Sequence, residues 1–437
     1  MGKISNKDTR TWLRIESAYA TPPANWSDQL KVSLLHSTGA SVKKNLAKEQ
    51  DKANMGGKYP AGYTKTKESV EGNLPVTFHP EQFATLAFLG LGAMTTEKAY
   101  SGFMAVFYSG NADSCLIERT AAGKLTVKIG VPGAEVADTN FNSTGEIDLS
   151  SPGFDTMAEL AEAISGYTGY KVYSHGEGAS LSTTIPVFTA KQAKGQSVKL
   201  EFIDSESTVY RHRIKPIVGG GKPSFSLIND KIISFEQVTG AKGDNFSINA
   251  AAGGLLSMEL AYVAKTLEKI LALPSGIITT YEKTGQIAAG QMLSYINGVL
   301  QGECTSSKIV NAPGLFKDSY ELGSYQISEP DDTTASLKID HEYFYTTGTQ
   351  HIEEKWDNGD EVELAYYIES KDLVETGKPY AAWIRIPRCA ILDSQAPIGS
   401  DGVIKMPSSF EALSPLYEDV NGYGAIEIDI LSKRQTF

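Results

Sequence analysis

The sequence predicts a mainly β protein of the α+β class, in which an α/β unit is inserted into a β domain. The 437 residues include 21 Tyr and 41 Gly and are rich in Val, Ile and Thr, a composition typical of short strands joined by many turns. A chain of this length suits two or three domains of roughly 100–200 residues. We expect residues 1–99 and 223–437 to form the β domain and residues 100–222 to form the insertion.

The N-terminal part alternates extended runs with breaks. Residues 37–67 are polar and lack strand or helix periodicity, and an irregular segment of this length is commonly functional or disordered. A helix is expected to begin at Pro80, which suits the first helical position, and to end at Gly90 and Gly92. The strands predicted around these features are residues 11–15, 30–35 and 70–78.

The inserted unit is predicted to combine several strands with one helix. Thr156 and Glu159 have the spacing of a capping box, and the apolar residues after Thr156 keep helical spacing as far as Gly166. Three glycines at 219–221 are expected to form a hinge out of the unit. The predicted strands are residues 103–108, 116–119, 125–129, 198–203 and 209–214.

The C-terminal part is predicted to be β again. Tight turns are expected at Asn297-Gly298, at Asn358-Gly359 and at Asn421-Gly422, because Asn-Gly favours two-residue hairpin loops. The predicted strands are residues 231–238, 255–263, 336–345, 362–368, 380–392 and 425–431.

Bulk properties exclude several classes of protein. The net charge of −12 and the pI of about 5.1 argue against a nucleic-acid reader, which would carry a basic face. We expect no secretory signal and no membrane span, because no apolar stretch reaches the roughly 20 residues that a bilayer requires. Cys115, Cys304 and Cys389 are odd in number and far apart, so three reduced, buried thiols are expected in a reducing cytoplasm.

Catalytic and metal-binding motifs are absent from the sequence. There is no HExxH, no zinc-ligand spacing and no GxSxG. Lys222 follows three glycines, but Pro223 stands where a phosphate-binding loop needs Ser or Thr. We therefore expect neither an enzyme nor a cofactor. The closest group to a metal site, which a polar strand edge explains equally well, is Asp340, His341, Glu342, His351, Glu353 and Glu354.

Charge is distributed unevenly along the chain. Between residues 43 and 67 seven lysines outnumber Glu49 and Asp51, whereas residues 329–375 hold fourteen acidic residues against three lysines. A basic arm and an acidic body within one chain suit self-association. A solvated loop without a partner and a nucleic-acid contact remain open as alternatives. The arm lysines are Lys43, Lys44, Lys48, Lys52, Lys58, Lys65 and Lys67.

Two predicted strands alternate acidic with apolar residues. Glu361 and Glu363 belong to the first, and Glu427 and Asp429 belong to the second. Because side chains alternate between the two faces of a strand, we expect the apolar residues to face a core and the four carboxylates to face water.

Several segments occur in an order typical of one family. Residues 16–23 are Glu-Ser-Ala-Tyr-Ala-Thr-Pro-Pro, residues 68–74 are Glu-Ser-Val-Glu-Gly-Asn-Leu, and His-Pro-Glu-Gln-Phe at 79–83 opens a short helix. These resemble segments of the tail tube proteins of long-tailed bacteriophages, whose first two patterns are E-x-x-Y-G-T-P and G-x-v-x-G-x-l. The resemblance covers residues 10–95 and 225–265. In the second of these stretches the similar segments are residues 235–240, 245–249 and 253–260.

The resemblance implies a β-sandwich or half-barrel subunit with a flanking helix. Copies would join by their sheet edges into rings, expected to be hexameric, and the rings would stack into a tube in the virion tail that conducts DNA without binding it specifically. The acidic strand faces would then either line the lumen or form an outward solvent face, the lysine-rich loop would lie between rings, and the insertion would decorate the outer surface. Implied partners are further copies of the chain, a tape-measure protein, a tail terminator and distal tail proteins, with assembly in the host cytoplasm.

Two other functions are weighed against this one. A tail decoration protein, or an adhesin whose inserted unit binds a host surface, would also be rich in Tyr and β-structure. A hydrolase would need a nucleophile and a base in one pocket, which the motifs do not supply.

Overall fold

The computed structural model describes residues 10–27, 30–32, 41–50, 62–98, 100–217, 221–277, 285–312, 314–333, 335–397, 402–416 and 424–435. The elements before the insertion are β1 (Arg10–Ile15), β2 (Leu30–Val32), β3 (Ser41–Gln50), β4 (Tyr63–Thr77), α1 (Pro80–Leu91) and β5 (Gly92–Lys98). Those that follow are β6 (Tyr100–Tyr108), β7 (Ser114–Arg119), β8 (Lys124–Gly130), β9 (Val136–Ala137), β10 (Glu146–Asp148), α2 (Met157–Ser165), β11 (Tyr170–Gly176), β12 (Phe188–Gln192) and β13 (Val198–Ile203).

The remaining elements are again mainly strands, so the predicted mainly β class is confirmed. They begin with β14 (Tyr210–Pro216), β15 (Phe225–Asp230), β16 (Phe235–Ala251), β17 (Ser257–Ala264), β18 (Thr266–Ile270), β19 (Met292–Ile296), β20 (Val299–Leu300) and β21 (Cys304–Ala312). They end with β22 (Ser336–Phe344), α3 (Gln350–Asn358), β23 (Glu361–Glu375), β24 (Lys378–Ser394), β25 (Lys405–Ala412) and β26 (Glu427–Ser432).

Eighteen of the described strands form one connected antiparallel system, which we call the body. Two long strands join its parts. The first half of β16 pairs with β15 and β18, and its second half pairs with β17 and β21. Strand β24 pairs with β23 along one edge and with β26 and then β25 along the other. The apolar faces of these strands enclose one large core.

Helix α1 closes this core. It begins at Pro80, and Phe83, Leu86 and Ala87 are fully buried, as their helical spacing predicts. Gly92 ends the helix in the left-handed conformation, with φ 100°, and donates its N–H to the Phe88 carbonyl. The helix packs against β14, β16 and β26.

The insertion has a core of its own. Its two sheets, β11-β6-β13 and β10-β8-β7-β12, enclose apolar side chains together with α2. The N-cap part of the predicted capping box is confirmed: the Glu159 N–H donates to the Thr156 hydroxyl at 3.4 Å, and that hydroxyl donates to the Glu159 carboxylate at 3.0 Å. The predicted strand at 209–214 corresponds to β14, which pairs with β5 and β26 of the body instead. We therefore use the name insertion for residues 100–209.

Three predictions of local structure are wrong. The polar segment 37–67 was expected to lack regular structure, but its described part forms β3 and the start of β4. Asn358-Gly359 is no hairpin turn, because Gly359 caps the C-terminal end of α3 with φ 70°. The strand expected at 231–238 is interrupted by a turn at Ile232, where φ is 71°.

The hairpin predicted at Asn297-Gly298 is confirmed. These residues have φ of 49° and 76° between β19 and β20, as the tight turn of a two-residue hairpin requires. The turn predicted at Asn421-Gly422 and most of the hinge predicted at 219–221 lie outside the described residues.

Candidate functional site

A two-stranded ribbon extends beyond the sheet of the body. Strands β3 and β4 are paired from Ser41 opposite Asn73 to Gln50 opposite Tyr63. Strand β17 pairs with β4 only as far as Val70, so residues 45–50 and 63–69 continue beyond it. We call these residues the ribbon. Among the described residues, no strand pairs with the second edge of β3.

The ribbon has little to stabilise it internally. From Ala47 to Gln50 every described side chain is exposed, and Leu46 and Tyr63 remain 46% and 67% exposed. Lys48 stands directly opposite Lys65, and like charges at that position are destabilising. An isolated hairpin is marginally stable in water. The ribbon and its open edge are therefore suited to contact another chain.

Glu68 joins the two strands at the base of the ribbon. Its carboxylate forms ion pairs with Lys44 of β3 and with Lys65 of β4, and its side chain is only 5% exposed. Burial alone would raise the pKa of Glu68, but the hydrogen bonds from the two lysines outweigh it and hold this pKa below its ordinary value. Glu68 is therefore charged and paired at neutral pH.

A loop holds the other side of the ribbon base. We call residues 314–333 the strap. The Glu68 N–H donates to the Tyr325 carbonyl at 2.7 Å, and Lys67 pairs with Asp318 at 2.8 Å. The hydrogen bond to Asp318 raises the pKa of Lys67. Lys67 also lies 4.9 Å from the centre of the Tyr320 ring.

The structure brings the described members of the predicted lysine cluster onto one hairpin. Three of them already contact acidic groups of the same chain, while Lys43 and Lys48 are exposed on β3. Lys52 and Lys58 lie outside the described residues. A contact of this cluster with a neighbouring ring stays a prediction.

The acidic strand residues do not share a wet face. Glu363, Glu427 and Asp429 are 1%, 0% and 4% exposed, so the expectation that they face water is wrong. Only Glu361 reaches solvent, where Arg388 binds it through two nitrogens. The alternation was interpreted as one buried and one solvated face, but the insertion covers the second face.

Buried ion pairs fill the seam between the insertion and the body. Glu363 accepts from Arg385 at 2.9 Å and from the N–H and hydroxyl of Ser197 at 2.6 and 2.7 Å. Lys199 of the insertion pairs with Asp429, and Arg213 lies 3.3 Å from the same carboxylate. Sequence reasoning missed these cations, because strand alternation identifies the carboxylates but not partners that are distant along the chain.

The cations of the seam lower the pKa of Glu427. Its burial would raise the pKa, but Arg213, Lys199 and Lys215 overcome this and lower the pKa to about 2. Burial lowers the pKa of Lys199, although the surrounding carboxylates oppose this. The seam thus places buried carboxylates next to buried cations.

Aromatic rings complete the seam. The Phe103 and Trp383 rings lie 4.3 Å apart, and the His175 and Tyr367 rings stack at 3.5 Å. Tyr173 of the insertion stacks on a body tyrosine in the same cluster. Packed rings together with buried ion pairs fix the insertion on the body.

A comparison with protein families decides which class of molecule carries these features. The family model described as phage tail tube protein matches residues 6–414, nearly the whole chain. The chain belongs to the phage tail tube protein family. No match was found among curated proteins. The resemblance stated from the sequence is therefore confirmed, and the protein is a structural component of the virion tail.

The candidate metal ligands named from the sequence do not form one site in this tail tube protein. His341 is fully buried, its Nε2 lies 2.7 Å from the Tyr366 hydroxyl, and burial lowers its pKa to about 3. His351 is on the surface and contacts the Gly348 carbonyl, while Glu353 accepts from Tyr345. Within the described residues no three His, Cys, Asp or Glu side chains are grouped as metal ligands.

The three cysteines of this tail tube protein form no disulfide bond. Cys115 and Cys389 are buried and Cys304 is half-buried, and all three are free thiols. Burial raises the pKa of Cys304 to about 12, so this thiol is protonated at neutral pH. Among the described helices, none is both long and apolar enough to cross a membrane.

Proposed function

We propose that copies of this chain join through the ribbon into stacked hexameric rings, and that the stack forms the conduit through which DNA leaves the virion. The observation that carries the proposal is the ribbon itself. It has an open strand edge, almost no buried side chain and a pair of opposed lysines. Pairing with another copy would satisfy that edge by β-augmentation.

The family supports self-assembly into a tube, and the proposal specifies which surface performs it. We assign the contact between rings to the lysine-bearing hairpin, with Lys43 and Lys48 as its exposed basic groups. Of the four carboxylates first considered for the lumen, we retain only Glu361, since the other three are enclosed by the insertion.

The proposed function also includes the partners of the tube and the place where it assembles. The chain would act without a cofactor or catalysis, and DNA would pass without specific binding. The tape-measure protein, tail terminator and distal tail proteins would contact the assembled tube, which forms in the host cytoplasm. The insertion would lie on the outside, because a unit with its own core would obstruct a bore.

Shortening the ribbon tests the proposal. Replacing residues 47–67 by Asn-Gly joins Leu46 to Glu68, which face each other across the hairpin, through a two-residue turn. We expect the shortened chain to fold, since the described residues of the removed segment contribute nothing to the body core, but to form no tubes in electron micrographs. The full-length chain should form filaments of fixed diameter. Discrete monomers or trimers from the full-length chain, or normal tubes from the shortened one, would contradict the proposal.

A further inference from the structure

The neighbour of β4 changes at the base of the ribbon. Strand β17 pairs with β4 up to Ala264 opposite Val70, and beyond this point the strap takes its place. The strap forms a parallel bridge between Gln326 and Glu68, next to the backbone hydrogen bond from Glu68 to Tyr325. Beyond Val70, the edge of β4 that faces away from β3 therefore has a backbone contact at only one of the described residues, Glu68.

Glu68 combines three contacts at this point. Its main chain is joined to the strap, and its carboxylate is joined to Lys44 and Lys65 from the two strands of the ribbon. Because the side chain is nearly enclosed, these ion pairs are screened less by water than surface pairs are. One residue thus ties together both ribbon strands and the strap.

The strap is in turn fixed on the body. The buried Lys242 pairs with Glu329 at 2.6 Å and donates to the Pro330 carbonyl at 3.2 Å. The buried Lys222 pairs with Asp332 at 3.2 Å. In addition, Leu315 and Ile327 of the strap pack on Val263 of β17. Contacts therefore run without interruption from the ribbon through Glu68 and the strap to the body.

We propose that Glu68 is a positioning residue for assembly, and that the strap and Glu68 together clamp the ribbon base so that the ribbon projects from the body in one direction. This rests on the proposed role of the ribbon in joining copies. In this clamp Lys44, Lys65 and Lys67 form ion pairs within their own subunit. The exposed part of the ribbon, farther from the body, contacts the neighbouring subunit. A ribbon held in advance loses less conformational freedom on docking, so it associates more readily.

Glu68→Gln tests the clamp, because it keeps the shape of the side chain and removes the charge that binds both lysines. The control is Glu71→Gln, which makes the same change at an exposed position of the same strand. In free subunits, Glu68→Gln should speed amide hydrogen exchange at residues 65–69 about tenfold, as the loss of two partly buried ion pairs requires. Exchange in β16 and β24 should stay unchanged, and Glu71→Gln should behave as the unmodified chain.

Tube growth supplies the second measurement. Glu68→Gln should raise the concentration needed for tube formation several-fold, whereas Glu71→Gln should not. Lys44→Met combined with Lys65→Met removes the same ion pairs from the other side and should act like Glu68→Gln.

A covalent rescue separates positioning from a merely structural role. Glu68→Cys combined with Gln326→Cys, at two positions whose backbones are bridged, should restore tube growth when the pair is oxidised and lose it when the pair is reduced. Glu68→Gln subunits that exchange and assemble normally, or an oxidised pair that forms but restores nothing, would overturn the clamp. Normal assembly of Glu68→Gln would leave the ribbon's role intact, because the shortened chain, which also lacks Lys65, would then fail through loss of the ribbon and not of the clamp.

Discussion

The insertion and the ribbon both extend from the body, yet they are stabilised in opposite ways. The insertion departs between β5 and β14, encloses its own core and returns to the body through a seam of packed rings and buried ion pairs. The ribbon is the outer end of β3 and β4, and its described residues enclose no core and are mostly exposed. The insertion is stabilised within its own subunit, whereas the ribbon is not and is therefore suited to the proposed contact with another subunit.

The largest effect is expected where a buried seam charge loses its partner. Arg385→Leu leaves Glu363 enclosed without its cation, which should lower the free energy of unfolding by about 3–5 kcal/mol in urea titrations. Arg388→Leu is the matched control, because its ion pair with Glu361 is on the surface and contributes at most about 1 kcal/mol. Equal losses in the two variants would mean that the seam is not what holds the insertion.

Acid should also weaken the seam. The pKa of Glu427 is lowered to about 2 in the folded chain, so its charge stabilises the fold above its ordinary value of 4.5 and this contribution is lost as the pH falls through about 2. The contribution at neutral pH is about 3 kcal/mol, at roughly 1.4 kcal/mol per pKa unit. Glu427→Gln should remove this part of the pH dependence, measured as stability between pH 5 and about 2. An unaltered pH profile would exclude Glu427 as its source.

A smaller effect is expected inside the insertion. Thr156→Ala removes the side chain that accepts from the Glu159 N–H at the start of α2, which should cost about 1 kcal/mol. Thr156→Ser keeps the accepting oxygen and should cost much less. Both variants should form tubes as the unmodified chain does, since α2 belongs to the insertion, which has its own core.

The smallest effect on stability, with the largest contrast in assembly, is expected at exposed side chains. Tyr63 on the ribbon and Val131 on the insertion are 67% and 64% exposed, so Tyr63→Ser and Val131→Thr should each change stability by less than about 0.5 kcal/mol. Only Tyr63→Ser should reduce tube yield, scored by sedimentation and electron microscopy. A similar reduction with Val131→Thr would mean that the ribbon and the insertion do not differ in their importance for assembly.

Sequence patterns predicted the elements whose signals are local. Helix α1 follows from Pro80 and the spacing of its apolar residues, and α2 follows from the Thr156 capping box. The β19–β20 hairpin follows from Asn297-Gly298. In each case a few neighbouring residues determine the backbone conformation, so no tertiary information is needed.

The failures occur where tertiary context decides. The ribbon was missed because a hairpin with two solvated faces has no alternation to detect. Asn358-Gly359 was interpreted as a hairpin turn although a left-handed glycine ends helices equally well. The burial of Glu363, Glu427 and Asp429 was missed because the covering strand β13 lies far away along the chain.

The position at which the insertion leaves the body also determines how readily another unit could replace it. Lys98 and Tyr210 face each other across β5 and β14, so the gap between them could be closed by a short turn or filled by any module whose termini lie close together. Such a replacement would still have to shield Trp383 and Tyr367 and to supply the contacts that Ser197 and Lys199 make with Glu363 and Asp429. A different inserted unit at this site would therefore require altered residues on the body surface beneath it.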